Sequence, residues 1–199
     1  MGGTQDRLTL ASTSPQRRAI LEQLRIPFEL VAPRYVEHDS PDVEPIELVR
    51  VHAEGKARSV HAEGLVTLGV DTTVALGGRT YGKPEDLRAA TTMLHALSGR
   101  THMVVSGLCL LGHELDLVVH EVTAVTFRPL TAQLLTTYLE SGEWEGRAGG
   151  YAIQGLGGRL VERIEGDYLN VVGLPGALLL SLLELHAPAL LDPLNKPIN

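Results

Sequence analysis

Four short segments of this sequence concentrate side chains able to hold phosphate or move a proton. The first is Ser12-Thr13-Ser14-Pro15-Gln16-Arg17-Arg18. Ser14 suits an N-cap and Pro15 suits the first helical position, so a helix is expected to start here. A helix start offers unpaired N–H groups and partial positive charge, which together attract phosphate. The hydroxyls of Ser12, Thr13 and Ser14 add donors, and Arg17, one turn in, can fork onto two phosphate oxygens. The plainer reading is a well-capped helix with solvated arginines. The second segment is Gly69-Val70-Asp71-Thr72-Thr73-Val74. A carboxylate inside an apolar strand is costly unless it is paired or bound to metal, so Asp71 and Thr72 mark a functional point, or else the cap of a turn.

The third segment, Gly77-Gly78-Arg79-Thr80-Tyr81-Gly82-Lys83-Pro84, has the glycine and lysine spacing of a P-loop. Pro84, however, stands where the metal-holding hydroxyl belongs and removes a backbone N–H, so that reading fails. What survives is Lys83 at an expected helix start, at the same end of a sheet as Asp71. The fourth is Gly149-Gly150-Tyr151-Ala152-Ile153-Gln154-Gly155. Its glycines permit close backbone approach, and Gln154 carries both a donor and an acceptor for the edge of a base. A flexible surface loop is the equal alternative. Glu162, Glu165, Asp167 and Asn170, just beyond, read as solvated strand and turn residues. The eight histidines show no metal-binding spacing, and His102, His113 and His120 are expected to be structural.

The elements that must carry these residues alternate. Strands are expected over 7–11, 28–31, 65–75, 101–111, 117–127 and 160–164, and helices over 15–25, 45–61, 84–97, 131–139 and 175–185. Gly112-His113-Glu114 reads as a hairpin turn between two long strands. A polar loop over 32–45 holds Glu37, His38, Asp39, Pro41 and Asp42, and the tail after Pro188 is expected to be peripheral. Helix and strand alternate, yet a hairpin breaks strict βαβ repetition, which predicts an α/β fold on a mixed sheet.

Composition bounds the partners. The 199 residues carry 17 basic and 24 acidic side chains, a formal charge of −7, which argues against a nucleic-acid polymer as partner. One domain over 1–199 is expected. No signal-type run precedes Asp6 and Arg7, and the longest uncharged stretch, 171–183, is too short to span a bilayer, so a cytoplasmic protein is expected. Cys109, the single cysteine, lies in an apolar run and reads as core.

Taken in order, the segments resemble the Maf family of nucleoside triphosphate pyrophosphatases. Besides those above, the resemblance rests on Glu54-Gly55-Lys56-Ala57, Leu97-Ser98-Gly99-Arg100-Thr101-His102 and Val161-Glu162-Arg163-Ile164-Glu165-Gly166-Asp167-Tyr168-Leu169-Asn170-Val171-Val172-Gly173-Leu174-Pro175, and it covers about 7–185. It implies a mixed α/β sheet flanked by helices, two lobes with a central cleft, and frequent homodimers. It further implies hydrolysis of a nucleoside triphosphate to monophosphate and pyrophosphate with Mg²⁺ or Mn²⁺. The equivalents of Arg17, Glu37, Lys56, Asp71, Lys83 and Gln154 line the family's cleft. Gln154 within Tyr151-Ala152-Ile153-Gln154-Gly155 matches the dTTP/UTP subgroup. The family usually has two arginines directly after Ser-Pro; here Gln16 takes the first place and Arg17 the second.

The chemistry expected from this set is water attack at the α-phosphorus. Arg17, Lys56 and Lys83 would neutralise the leaving pyrophosphate, Asp71 and Glu37 would hold the metal, and Asp71 is the favoured base. Two alternatives stand beside it. One is a nucleotide-binding regulator of septum formation or cell division. The other is a pyrophosphatase for inosine-type or 7-methylguanosine nucleotides.

Overall fold

The computed structural model describes residues 7–38 and 43–191. Asp6, Asp39, Pro41, Asp42 and the tail beyond 191 therefore lie outside the described residues. Seven strands form one mixed sheet: β1 (Leu8–Ala11), β2 (Phe28–Val31), β3 (Val66–Leu76), β4 (Arg79–Tyr81), β5 (Thr101–Gly112), β6 (Leu115–Phe127) and β7 (Val161–Glu165). Their order is β2-β1-β3-β5-β6-β7, with β4 paired to β3. β1 runs parallel to β2 and β3, and the other pairings are antiparallel. The helices are α1 (Pro15–Gln23), α2 (Pro45–Arg58), α3 (Leu87–Leu97), α4 (Ala132–Glu140), α5 (Tyr168–Val172) and α6 (Gly176–His186). None of the described helices is long and apolar enough to cross a membrane.

The period-two alternation of β3 and β5 divides the interior. On one face Leu68 and Val70, with Leu108 and Leu110, join α1 and α6 in one apolar cluster. Further along the same face Val74 and Val104 join a second, with Leu94, Phe127, Tyr138 and Leu160. Between the clusters, and paired across the strands, stand Thr72 and Ser106. Two lobes thus share one sheet, with a polar break between their cores. Cys109 is fully buried among Ala53, Ala57 and Leu111 as a core residue, and burial pushes its thiol up to about 12.

The opposite face carries α2. Gly69 and Gly107 lie beneath it: a Cβ on Gly69 would come 2.1 Å from the Ala53 carbonyl oxygen, and one on Gly107 2.2 Å from that of Val49. Only glycines let the helix rest this close. That contact sets the depth at which α2 holds its inward side chains over Asp71.

Several expected boundaries move. α2 ends at Arg58 rather than 61. Strand β7 is shifted one residue along from the expected 160–164. Gly112 remains in β5, and His113 and Glu114 alone make the turn, with Glu114 at φ 57. α3 begins at Leu87, not 84, because Asp86 caps it by accepting the Ala89 N–H at 2.7 Å. Lys83 therefore sits in the loop before α3, not at a helix start. Two short elements, β4 and α5, were not expected. The Gly-rich segment is packed rather than loose: Gly149, Gly150, Tyr151, Ala152 and Ile153 are buried. His102 is buried as expected, whereas His113 and His120 are exposed.

Candidate active site

The cleft opens where the sheet loses a neighbour. β1 stops at Ala11, opposite Gly69, and β4 joins β3 only from Val74. Residues 70–73 therefore have no strand along that edge, and they lie beyond the carboxyl end of a parallel strand, a place where open α/β sheets hold ligands. Ser12, Ser14, Arg17, Glu37, Lys56, Thr72, Lys83 and Gln154 all line one cleft of about 390 Å³. Asp71 lies directly behind Lys56.

The turn from β1 into α1 is built by hydroxyls. Ser12 Oγ accepts the Ser14 N–H at 3.1 Å, and Ser14, the N-cap, accepts the Arg17 N–H at 3.5 Å. Ser14 also donates to Gln16 Oε1 at 3.1 Å. Arg17 is clamped: Nε donates to the Gly173 carbonyl at 2.9 Å, one terminal nitrogen to Ser12 Oγ and the other to Thr72 Oγ1, each at 3.3 Å. Three of its five N–H groups are thus committed, which leaves one on each terminal nitrogen to face a ligand. Burial lowers the Arg17 pKa, opposed by the charges of Asp71 and Glu37. Thr72 Oγ1 also lies 2.8 Å from Ser106 Oγ. The geometry places Thr72 first as a support for Arg17.

On the other face, α2 lowers Lys56 and His52 onto Asp71. Lys56 Nζ donates to Asp71 Oδ1 at 2.5 Å and to Glu37 Oε1 at 2.7 Å. Glu37 arrives from the segment after β2. There the Tyr35 ring packs on α2 at Gly55, where any Cβ would meet it at 2.3 Å. His52, 2% exposed, has Nδ1 3.6 Å from Asp71 Oδ2. Burial alone would raise the Asp71 pKa. The His52 contact and the charges of Lys56 and Arg17 outweigh it, and the carboxylate stays well below its ordinary range. His52 is raised, first by its contact with the Asp71 carboxylate and against its own burial.

Glu37, His52 and Asp71 form a donor group whose ligand atoms lie within 4.8 Å of one another. Two carboxylates and an imidazole fit a divalent cation. His52 escaped the sequence reading because its partners come from other segments. The signal available was a His and a Lys four apart on the apolar face of α2. Asp167 and Asn170 were misread as solvated. Asp167 caps α5 by accepting the Leu169 N–H at 2.8 Å, and Asn170 is fully buried, donating to the Val104 carbonyl and Thr123 Oγ1. They fix the turn that presents the Gly173 carbonyl to Arg17.

The sequence is similar to that of known proteins over nearly all of its described length. A family model described as "Maf-like protein" matches residues 7–186. The chain is 45% identical over 170 residues to a dTTP/UTP pyrophosphatase of Symbiobacterium thermophilum, covering 84% of this chain and 88% of that one. It is 44% identical over 183 residues to one of Deinococcus radiodurans, covering 91% and 93%. A third, from Pyrococcus furiosus, is 41% identical over 183 residues, covering 90% and 95%. On the match across nearly the whole described chain, together with these relatives, the protein belongs to the Maf-like family.

Proposed function

We propose that this protein is a nucleoside triphosphate pyrophosphatase that hydrolyses dTTP and UTP to the monophosphate and pyrophosphate. The observation that carries the reading is the charge arrangement of the cleft. Arg17, Lys56 and Lys83 line the same space that Asp71 and Glu37 border. Cations suit a triphosphate, and paired carboxylates beside them suit a cation and a water. The names of the relatives supply the pyrimidine preference.

Cleavage at the α-phosphorus gathers negative charge on the departing pyrophosphate. Neutralising that charge is the main task, and it is electrostatic. Arg17, held on three sides, offers its two remaining N–H groups without having to be ordered first. Lys56 and Lys83 add charge, and the start of α1 adds its partial positive charge. Asp71, kept ionised by its neighbours, accepts a hydrogen bond from the attacking water and aligns it. Its depressed pKa limits how far it pulls the proton, so orientation dominates its role. Mg²⁺ or Mn²⁺, held by Asp71 and Glu37 with His52 beside them, would supply Lewis-acid stabilisation of the phosphate oxygens. Gln154, exposed at the cleft wall, offers an amide to the edge of the base.

The test is phosphate release from a panel of nucleoside triphosphates with Mg²⁺ or Mn²⁺, with and without added inorganic pyrophosphatase. Release that depends on the added enzyme and is strongest for dTTP and UTP supports the proposal. Preference for inosine or 7-methylguanosine triphosphate would keep the chemistry and overturn the base reading. Binding without release from any nucleotide would make the protein a regulator.

A further inference from the structure

The position between Asp71 and Glu37 is already taken by a cation of the protein's own. Lys56 Nζ lies 2.5 Å from Asp71 Oδ1 and 2.7 Å from Glu37 Oε1, on a side chain only 7% exposed. His52 closes the third side at Asp71 Oδ2. The oxygens that would bind a divalent ion therefore hold an ammonium. A divalent ion entering beside it would meet a like charge at close range, in a partly dehydrated site where repulsion is poorly screened. The lysine also has a second destination. It lines the cleft together with Arg17 and Lys83, so phosphate oxygens in that cleft compete with the two carboxylates for its Nζ.

We propose that Lys56 is a displaceable cation. In the free protein its ammonium holds Asp71 and Glu37 together and keeps a divalent ion out. An arriving triphosphate draws Nζ onto its own oxygens and frees the carboxylates for the ion it carries. Metal and nucleotide then bind with positive coupling, and the metal enters as the metal–triphosphate complex. The inference rests on the triphosphate reading for its second half. Its first half, exclusion of metal by the lysine, does not.

Mn²⁺ binding to the full chain tests both halves, followed by the signal of free Mn²⁺ in electron paramagnetic resonance. It is measured alone and with a non-hydrolysable α,β-imido analogue of dUTP, corrected for Mn²⁺ bound by the analogue in solution. The wild type is expected to bind Mn²⁺ at least tenfold more tightly with the analogue than without, and the reciprocal coupling must be equal. Lys56→Met is expected to shift two affinities in opposite directions. Without nucleotide its Mn²⁺ affinity rises at least tenfold, and its metal-free affinity for the analogue falls at least tenfold. A lysine that merely staples the fold would not raise metal affinity when removed. Should Lys56→Met be poorly folded on its own, added Mn²⁺ should raise its Tm and leave the metal-only Tm of the wild type unchanged.

Tight Mn²⁺ binding by the free wild type, or no gain in Lys56→Met, overturns the proposal. The two readings fail separately. A gain of metal affinity in Lys56→Met, with no triphosphate hydrolysed by the wild type, keeps the lysine's role and sinks the substrate. Hydrolysis of dTTP and UTP with no such gain does the reverse.

Discussion

At the scale of single residues, the site is a set of charges that hold one another in place before any ligand arrives. Asp71 is the centre: Lys56, His52 and Arg17 all act on it. Replacing it by Asn keeps the shape and removes the charge. Asp71→Asn is expected to retain triphosphate binding while turnover falls by about 10²–10⁴-fold, the range for a side chain that hydrogen-bonds the attacking water as proposed. Single-turnover kinetics with a parallel binding titration checks this, and wild-type turnover would remove Asp71 from the chemistry. Arg17 tests the clamp. Lysine keeps the charge but cannot reach Gly173, Ser12 and Thr72 together, so Arg17→Lys is expected to lower kcat/KM at least about tenfold. Arg17, Ser12 and Ser14 were legible because a helix cap followed by an arginine has local meaning. Asp71 was legible because a carboxylate stood out in an apolar strand. His52 was not, since its meaning depends on a strand that chain spacing cannot bring beside it.

Among the elements, α2 and its contact with the sheet decide whether these charges meet. Gly107 is the sharpest probe, since an added Cβ would come 2.2 Å from the Val49 carbonyl oxygen, and its nearest neighbours are all α2 backbone. Gly107→Ala must push α2 outward and lift Lys56 and His52 from Asp71. Overpacking of this kind costs about 1–3 kcal/mol. The expected result is a lower urea midpoint, together with a loss of kcat/KM at temperatures where the variant remains folded. Unchanged kinetics in a folded variant would show that the site does not depend on helix depth. The long elements were readable from periodicity and caps. β4 and α5 were not, because three and five residues carry too little pattern, and a helix that short forms only through tertiary contacts. For α5 those contacts are the buried Asn170 amide and Thr123, neither of which announces its partner in sequence.

The molecule as a whole is two apolar cores on one sheet, and a histidine buried in the second core, behind the cleft-lining Tyr151, couples that core to pH. The mixed sheet was predictable from a hairpin interrupting helix–strand alternation. The two lobes were legible only through the family resemblance; residue patterns alone do not give the division into two cores, because it depends on the register that pairs Thr72 with Ser106. His102 lies in the second core, 1% exposed, edge-on to Phe127 and Tyr151, with Nε2 2.9 Å from the Tyr151 hydroxyl. Its Nδ1 is buried without a partner. Burial pushes its pKa down to about 4 from the usual 6.5. Between these values the unfolded chain binds the proton and the folded one does not, so stability must fall as pH drops. The contribution is fully present above about pH 6.5 and lost as pH falls toward 4. At about 1.4 kcal/mol per pKa unit the loss reaches about 3 kcal/mol. His102→Phe keeps the ring and removes the titration, but leaves the Tyr151 hydroxyl unpaired, costing about 1–2 kcal/mol at pH 7.5. Urea unfolding at pH 7.5, 5.5 and 4.5 should therefore show the variant less stable at the first pH and equal to or above the wild type at the last. A difference between the two that stays constant with pH would mean that this histidine does not gate the acid stability of the fold.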